Sequence, residues 1–424
     1  MTTGSTLRSD GGSIFRGSAG IAVAMGVMNI ATYGFQMVAA RVLGPSEYGA
    51  IASLMALLMV LAVLQLGLQA TAARRIAEQP WHVAQIERQV LRVTHRASLA
   101  LGALMIVLSP AVKEILKLDS ILPALLLAVA AVPLSVAGGQ GGILQGERRW
   151  LPLGLLYLGV GIPRIAIGTV CILVSPTETS AMLGVMLGLW VPVIIGWGAL
   201  RAHRGPGATS DEHLARPIAR EACIASFTLL GFYLLSNLDV VVARNVLDPH
   251  DAGLYAGGLI LTKAVLFLPQ FVVVVAFPSM ATAGQRRLAL VRSLSLVAAL
   301  GVACVLGAWL LSDVAMIFVG GTEYAEVESR LWLFAALGTV LAMIQLLVYS
   351  VLARRGTRST YLVWGGVALL LIATVQATTV GTLLVGVLVV DAVLLVVLTA
   401  VSFWRLREPV PDDEAGMPVT PGTR

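Results

Sequence analysis

Two stretches decide the architecture of this chain: AARVLGPSEYGAIA at residues 39–52 and VARNVLDPHDAGLYA at residues 242–256. The Pro-x-acid-x-Gly pattern of Pro45–Gly49 in the first stretch returns in the second as Pro249–Gly253, 204 residues later. This offset is nearly half of the 424-residue chain. We therefore predict two related halves, and we interpret each copy of the motif as a turn followed by a helix start.

The segments around these stretches are long and apolar. Hydrophobic residues make up 58% of the chain and charged residues 12%, against about 45–50% and about 25% in soluble domains. We predict an all-α polytopic membrane protein with about 12 transmembrane helices, because a run of about 20 apolar residues can cross the hydrocarbon core. The runs lie at about residues 18–40, 48–73, 97–116, 121–144, 152–174, 179–200, 221–243, 253–279, 289–311, 331–352, 361–376 and 379–403.

Each half holds six of these spans. Because six is even, both halves enter the membrane from the same side, and we predict two six-helix bundles related by a pseudo-twofold axis along the membrane normal. Composition indicates a flexible linker between them and a disordered tail. The predicted divisions are an N-terminal bundle at 1–200, a cytoplasmic linker at 201–220, a C-terminal bundle at 221–404 and a cytoplasmic tail at 405–424.

Basic residues alternate between the loops. Of the 29 Lys and Arg, 22 fall on one side of the twelve spans, which we call the Arg-rich end and which includes Arg74, Arg75, Arg148, Arg149, Arg201 and Arg220. The other side, the Arg-poor end, has five: Arg41, Lys113, Lys117, Arg244 and Arg330. The positive-inside rule then predicts a cytoplasmic (inner) membrane protein with both termini in the cytoplasm. Topology accounts for the net charge of +6, so we predict no nucleic-acid partner.

Two basic residues, Arg164 and Lys263, fall near the middle of spans, with no acid in reach on the same helical face. A cation that faces lipid at this depth costs roughly 2.5–3.5 kcal/mol. We therefore interpret both as lining a water-filled cavity that binds an anionic headgroup. The alternatives are a structural charge bonded to carbonyls exposed at the Pro163 kink for Arg164, and snorkelling for Lys263.

Uncharged polar residues also recur inside the spans. Asn29 and Gln36 share one helical face, as do Gln65 and Gln69. Interhelical hydrogen bonds explain any one of these residues, whereas together they favour a wet cavity that contacts sugar hydroxyls. The predicted cavity residues are Asn29, Gln36, Gln65, Gln69 and Gln270.

Two acids inside spans, Asp239 and Asp391, are candidate coupling groups for a transported cation. Asp239 shares a helical face with Ser236 near the outer end of its span, where we expect water access, although a capping role is the alternative. Asp391 lies at the centre of the last span without a polar neighbour in sequence. Burial there favours the neutral carboxyl group, so we interpret Asp391 as structurally quiet, with proton coupling as the alternative.

Catalytic and metal-binding motifs are missing from the sequence. It has no phosphate-binding G-x-x-x-x-G-K-[ST] and no H-E-x-x-H, and its three cysteines lie inside spans, which predicts neither a disulfide nor a metal site. The longest outer segment, at about 312–330, has no His and is short for a membrane-embedded glycosyl ligase. We therefore predict a protein that is not an enzyme, without cofactor or metal, in which rocking of the bundles is the working step.

Short motifs at the span ends resemble those of polysaccharide-biosynthesis flippases in the multidrug/oligosaccharidyl-lipid/polysaccharide exporter superfamily. The resemblance covers essentially the whole chain. The motifs are Leu43–Gly49, Leu66–Leu68, Arg74-Arg75, Asn237–Asp239, Gly253–Tyr255, Phe277-Pro278 and Phe318-x-Gly320-x-x-x-Tyr324.

The resemblance implies a flippase that moves a polyprenyl-diphosphate-linked oligosaccharide from the inner to the outer leaflet by alternating access, for cell-surface polysaccharide biosynthesis. A cationic cavity is typical of the family and agrees with Arg164 and Lys263. The implied partners are the lipid-linked glycan, the bilayer, and a polysaccharide polymerase and glycosyltransferases. The alternative function is a cation-coupled small-molecule exporter of the same superfamily, with Asp239 and Asp391 as coupling groups; a membrane-embedded polymerase or ligase is the enzyme alternative.

Overall fold

The computed structural model describes residues 10–201, 208–266, 286–352 and 358–405, and within these ranges it consists of helices joined by short connections. Short 3-10 turns lie at Pro80–His82, Asp211–His213 and Thr322–Arg330. The helices are α1 Asp10–Glu78, α2 Val83–Leu116, α3 Leu122–Gly146, α4 Trp150–Val174, α5 Glu178–Gly188, α6 Trp190–Ala199, α7 Ala215–Leu235, α8 Leu238–Val246, α9 Pro249–Val265, α10 Arg286–Leu310, α11 Ser312–Val319, α12 Leu331–Leu352, α13 Arg358–Thr374 and α14 Val380–Arg405.

These helices match the predicted all-α membrane architecture. In the described ranges, nine helical stretches are long and apolar enough to cross a membrane, and Tyr361–Thr374 is a shorter apolar helix. The first stretch holds two of the predicted spans, and α9 is the described part of the eighth. The prediction of about twelve spans in two bundles is confirmed.

Helix α1 joins the first two spans without a loop. It runs for 69 residues and is interrupted at Gly44, whose backbone has φ 71° and ψ 172°. Glycine adopts this positive φ without a β-carbon clash, and the following Pro45 lacks the N–H that would continue the helical hydrogen bonds. The expected turn is therefore a kink between two arms of one helix.

The seventh predicted span is divided between α7 and α8, with a break at Ser236 and Asn237. Helix α7 begins at Ala215, inside the segment that we predicted as linker. The helix start shortens that segment, of which residues 208–214 are described. Both residues of this break accept hydrogen bonds from the partly buried Lys263.

The two halves meet along α1, which packs on α3 and α4 of its own half and on α7 and α9 of the other. The two copies of the sequence motif contact each other there. A β-carbon on Gly253 would lie 1.8 Å from the carbonyl oxygen of Pro45, and one on Gly49 would lie 3.2 Å from the Cα of Gly253. The motif therefore does more than turn the chain, because its glycines let the two halves touch backbone to backbone at the Arg-poor end.

Side chains close around this backbone contact. The buried rings of Tyr48 and Tyr324 meet edge to face with centroids 6.5 Å apart. The Tyr324 hydroxyl donates to the carbonyl of Ala40 at 3.2 Å, and Arg41 donates to the carbonyl of Ile317 at 2.9 Å. Each of these contacts joins the first half to the second.

The Arg-rich end has its own tie between the halves. Arg74 and Arg75 at the end of α1 both pair with Glu221 of α7, and Arg75 Nε lies 2.9 Å from the carboxylate. The side chain of Gln85 accepts from the backbone N–H of Ser210 and donates to its carbonyl, both at 2.8 Å. These hydrogen bonds hold the segment before α7 against the first half.

His213 completes this tie. Its buried ring lies 3.1 Å from Arg75 through Nδ1 and contacts Gln79 through Nε2. Burial, followed by the charge of Arg75, lowers the pKa of His213 below its ordinary value. The neutral ring is therefore the form that the folded protein favours.

We expect Gly253→Ala to destabilise the contact between the halves. The added methyl group has no space beside the Pro45 carbonyl, and overpacking of this kind costs about 1–3 kcal/mol or more. The thermal unfolding midpoint in detergent should fall. Gly307→Ala is the matched control, because a β-carbon there meets nothing within 4 Å; equal midpoints for the two variants would contradict the packing analysis.

The contacts of His213 should contribute less to the stability of the folded protein at acidic pH. A histidine whose pKa is lower in the folded than in the unfolded state contributes stability above its unfolded pKa of about 6.5 and loses it as the pH falls through the lower folded value. We therefore expect the unfolding midpoint of the wild-type protein to fall between about pH 7.5 and about pH 5. His213→Gln should show a smaller fall, and an unchanged pH dependence in that variant would contradict the assignment.

Candidate functional site

The predicted cation of the first half, Arg164, lies inside its bundle. Helix α4 places it, only 6% exposed, where its charge interacts with Tyr33 of α1. The α5 backbone passes close to the α4 backbone here, since a β-carbon on Gly188 would lie 3.1 Å from the backbone nitrogen of Arg164. Among the described residues, the guanidinium Nε has no hydrogen-bond partner. A buried N–H of this kind is available to an acceptor that is not part of the chain.

The predicted cation of the second half, Lys263, has protein partners. Its ammonium group donates to the carbonyl of Ser236 and, at 3.0 Å, to Oδ1 of Asn237. Both acceptors belong to the break between α7 and α8. The interrupted helix leaves the Ser236 carbonyl without its helical partner, and the lysine supplies one.

Two carboxyl groups lie near this lysine. Asp239 of α8 is 2% exposed and accepts a hydrogen bond from the Tyr255 hydroxyl at 2.9 Å. Asp391 of α14 is fully buried, and its charge interacts with both Asp239 and Lys263. Neither oxygen of Asp391 has a hydrogen-bond partner among the described residues. We call the set of Lys263, Asp239, Asp391 and Tyr255 the C-half cluster.

The C-half cluster differs from the sequence-based expectations in three ways. No acid was expected near Lys263, but two are supplied by other helices. Asp239 was expected to have water access, but α9 and α14 cover it. Asp391 was expected to lack polar neighbours, but the fold brings it beside Lys263. In each case the neighbour comes from a different helix, which a search along one helical face does not reach.

The predicted cavity residues of the first half lie on α1. Gln69 donates to Gln145 and to the Tyr157 hydroxyl, each at 3.0 Å. The backbones of Gln65 and Gln69 pack closely on α3, next to Gly138 and Gly142 respectively. Gln69 therefore makes the interhelical hydrogen bonds that were the alternative interpretation.

For the other predicted cavity residues, the structure gives only a position in the fold or none. Asn29 and Gln36 are half-buried on the first arm of α1. Gln270 lies outside the described residues. The structure thus brings Arg164 and the polar face of α1 into one half, and Lys263, Asp239 and Asp391 into the other.

Sequence reasoning missed two tyrosines of these centres, Tyr33 and Tyr255. Tyr255 is sixteen residues from its partner Asp239 and on a different helix, so no helical spacing links them. The available signal was its place in the stretch at 242–256, two residues after the repeated motif, but we interpreted that motif as a turn followed by a helix start. In the described part of the chain, no group of three or more His, Cys, Asp or Glu is arranged to hold a metal ion.

Comparison with known families decides the class of this protein. A family model described as "Polysaccharide biosynthesis protein" matches residues 14–284. The chain belongs to the polysaccharide biosynthesis protein family. The match confirms the resemblance that the span-end motifs indicated. No curated protein sequence matches the chain.

Solved structures show the fold of this family member. An inward-facing multidrug resistance MATE family transporter of the MOP superfamily is 14% identical, with a TM-score of 0.75 over 92% of this chain and 98% of that one. A MOP superfamily transporter from Pyrococcus furiosus is 15% identical, with a TM-score of 0.67 over 93% and 95%. The eukaryotic MATE transporter AtDTX14 is 14% identical, with a TM-score of 0.62 over 92% and 96%. This member of the polysaccharide biosynthesis family is thus a multi-pass membrane protein, and its fold is similar to that of solved MATE and MOP superfamily transporters.

The two acids of the C-half cluster should respond differently to neutralisation. Asp239→Asn removes the charge beside Lys263 and disturbs the Tyr255 hydrogen bond, so we expect a loss of transport. Asp391→Asn changes a fully buried carboxyl group that has no hydrogen-bond donor among the described residues, so we expect transport to persist. The measurement is transport at matched membrane abundance, and equal loss in both variants would contradict the distinction.

Proposed function

We propose that this protein is a flippase that moves a polyprenyl-diphosphate-linked oligosaccharide from the inner to the outer leaflet of the cytoplasmic membrane. The family to which it belongs, described as polysaccharide biosynthesis protein, supports a saccharide-linked cargo. In this proposal both termini are cytoplasmic, the Arg-poor end faces outward, and a polymerase and glycosyltransferases act on either side of the transport step.

The observation that carries the proposal is the buried Arg164 guanidinium group, whose Nε has no hydrogen-bond partner among the described residues. A cation in this position is costly unless an anion compensates it. At an effective dielectric of about 20, a doubly charged diphosphate 5 Å away would attract it by roughly 6–7 kcal/mol before desolvation. The diphosphate headgroup of a lipid carrier has the charge and the acceptor oxygens to do this.

Lys263 takes a secondary part in this mechanism. Asp239 and Asp391 both lie near Lys263, and one ionised carboxylate is enough to balance its charge. The first half therefore has the stronger demand for an anion. We propose that the diphosphate binds at Arg164 and draws on Lys263 as the bundles rock. The half-buried amide side chains on the first arm of α1, Asn29 and Gln36, would contact the sugar, while the polyprenyl tail stays in lipid.

A second function is favoured by the C-half cluster. Two buried carboxyl groups beside a lysine, Asp239 and Asp391, form a set whose net charge changes when it takes up a proton or a cation. That property fits a cation-coupled exporter of small molecules. In a MOP superfamily transporter from Pyrococcus furiosus, a reverse polarity of the binding pocket suggests a different function.

We expect Arg164→Gln to lose flipping while inserting normally, since it removes an expensive charge from the membrane interior. Arg164→Lys is the matched variant that keeps the charge and should retain part of the activity. The measurement is the leaflet distribution of lipid-linked oligosaccharide in a flippase-deficient strain that expresses each variant at equal abundance.

The same strains separate the two functions. Full complementation by Arg164→Gln would contradict the diphosphate site and leave Arg164 as a structural charge. Failure of the wild-type protein to move lipid-linked oligosaccharide, together with proton-dependent or sodium-dependent efflux of small molecules, would support the exporter instead.

A further inference from the structure

Four hydrogen bonds join the end of α2, in the first half, to the end of α8, in the second half. Arg244 donates through Nε to the carbonyl of Leu116 at 3.1 Å and through Nη2 to that of Lys117 at 2.6 Å. Asn245 donates to the carbonyl of Ile115 at 2.9 Å. In return, the Lys117 ammonium group donates to the carbonyl of Asn245 at 3.3 Å.

These bonds fall on carbonyls that α2 cannot satisfy by itself. A helix leaves its last four carbonyls without helical partners. Lys117 adopts a left-handed conformation with φ 49°, and the backbone N–H groups of Lys117 and Leu118 return to the carbonyls of Glu114 and Lys113. The next three carbonyls remain, and those are the ones that the second half reaches. The positive charge of Arg244 also suits the negative end of the α2 dipole.

The charges around Arg244 also attract it to the first half. Its side chain is 6% exposed and lies at a cleft of about 150 Å³ between the halves. Three carboxylates, those of Glu47, Asp119 and Glu178, attract its guanidinium group. All three belong to the first half, as do the carbonyls of Leu116 and Lys117 that accept its hydrogen bonds.

We propose that Arg244 and Asn245 form a latch that holds the Arg-poor end of the transporter closed and that must release before this end can open. Alternating access requires each end to open in turn. Withdrawal of α8 from α2 would leave three carbonyls and one cation to be satisfied by water alone. The latch therefore biases the equilibrium between the closed and open states. It acts whatever cargo is carried.

Cysteine accessibility tests the latch without any transport measurement. In a background with Cys171, Cys223 and Cys304 replaced by serine, Ala50→Cys reports on the cleft, where Ala50 is 3% exposed. We expect Arg244→Gln combined with Asn245→Ala to raise the rate of maleimide labelling of purified protein about tenfold. That rise corresponds to a shift of about 1.4 kcal/mol toward the open state.

Two controls decide between a latch and general loosening. Lys113→Gln removes a positive charge from the same end of α2 but none of the four hydrogen bonds, and should leave the rate unchanged. Ala335→Cys, fully buried in α12, should label slowly with or without the latch substitutions. An unchanged rate at Ala50→Cys, or an equal rise at Ala50→Cys and Ala335→Cys, would overturn the proposal. Because the assay uses no cargo, its outcome does not depend on whether the protein flips lipid-linked sugar.

Discussion

The closeness of the two halves depends on one contact without side chains, between the Pro45 carbonyl and Gly253. Every residue other than glycine would hold α1 and α9 apart at this point. The kink at Gly44 brings the Pro45 carbonyl into position, and Gly49 completes the approach one turn later. The ring contact of Tyr48 with Tyr324 and the hydrogen bonds of Arg244 form only because the backbones are already this near.

The two bundles hold their buried charge differently. The first half encloses a guanidinium group that interacts with Tyr33, whereas the second holds a lysine beside two carboxyl groups. The two bundles therefore differ in the charged groups that they hold in the membrane interior. Under the proposed function, this asymmetry separates the group that attracts an anionic cargo from the groups that respond to ions or protons.

Much of the architecture could be predicted from the sequence, because it follows from local properties. Span lengths follow from apolar runs, and the repeat at Pro45 and Pro249 gave the division into halves. The environment of Lys263 could not be predicted, because Asp391 lies 128 positions away and comes near only through packing of α14. Arg244 was counted as one more basic residue, since nothing in its own helix reveals the unpaired carbonyls of α2.

The tie at the Arg-rich end has a geometric consequence for lipid. Only Leu214 separates the Ser210–His213 segment, which is bound to the first half, from the start of α7. Farther along the contact between α1 and α7, Ser226 donates a hydrogen bond to the carbonyl of Val63. Side-chain contacts therefore hold the second arm of α1 against α7 from the Arg-rich end toward the middle of the membrane. A carrier whose tail stays among the acyl chains needs a slit that runs the full depth of the bilayer. Under the proposed function, such a slit cannot open between the second arm of α1 and α7 while these contacts hold, so this flank keeps the lipid tail outside.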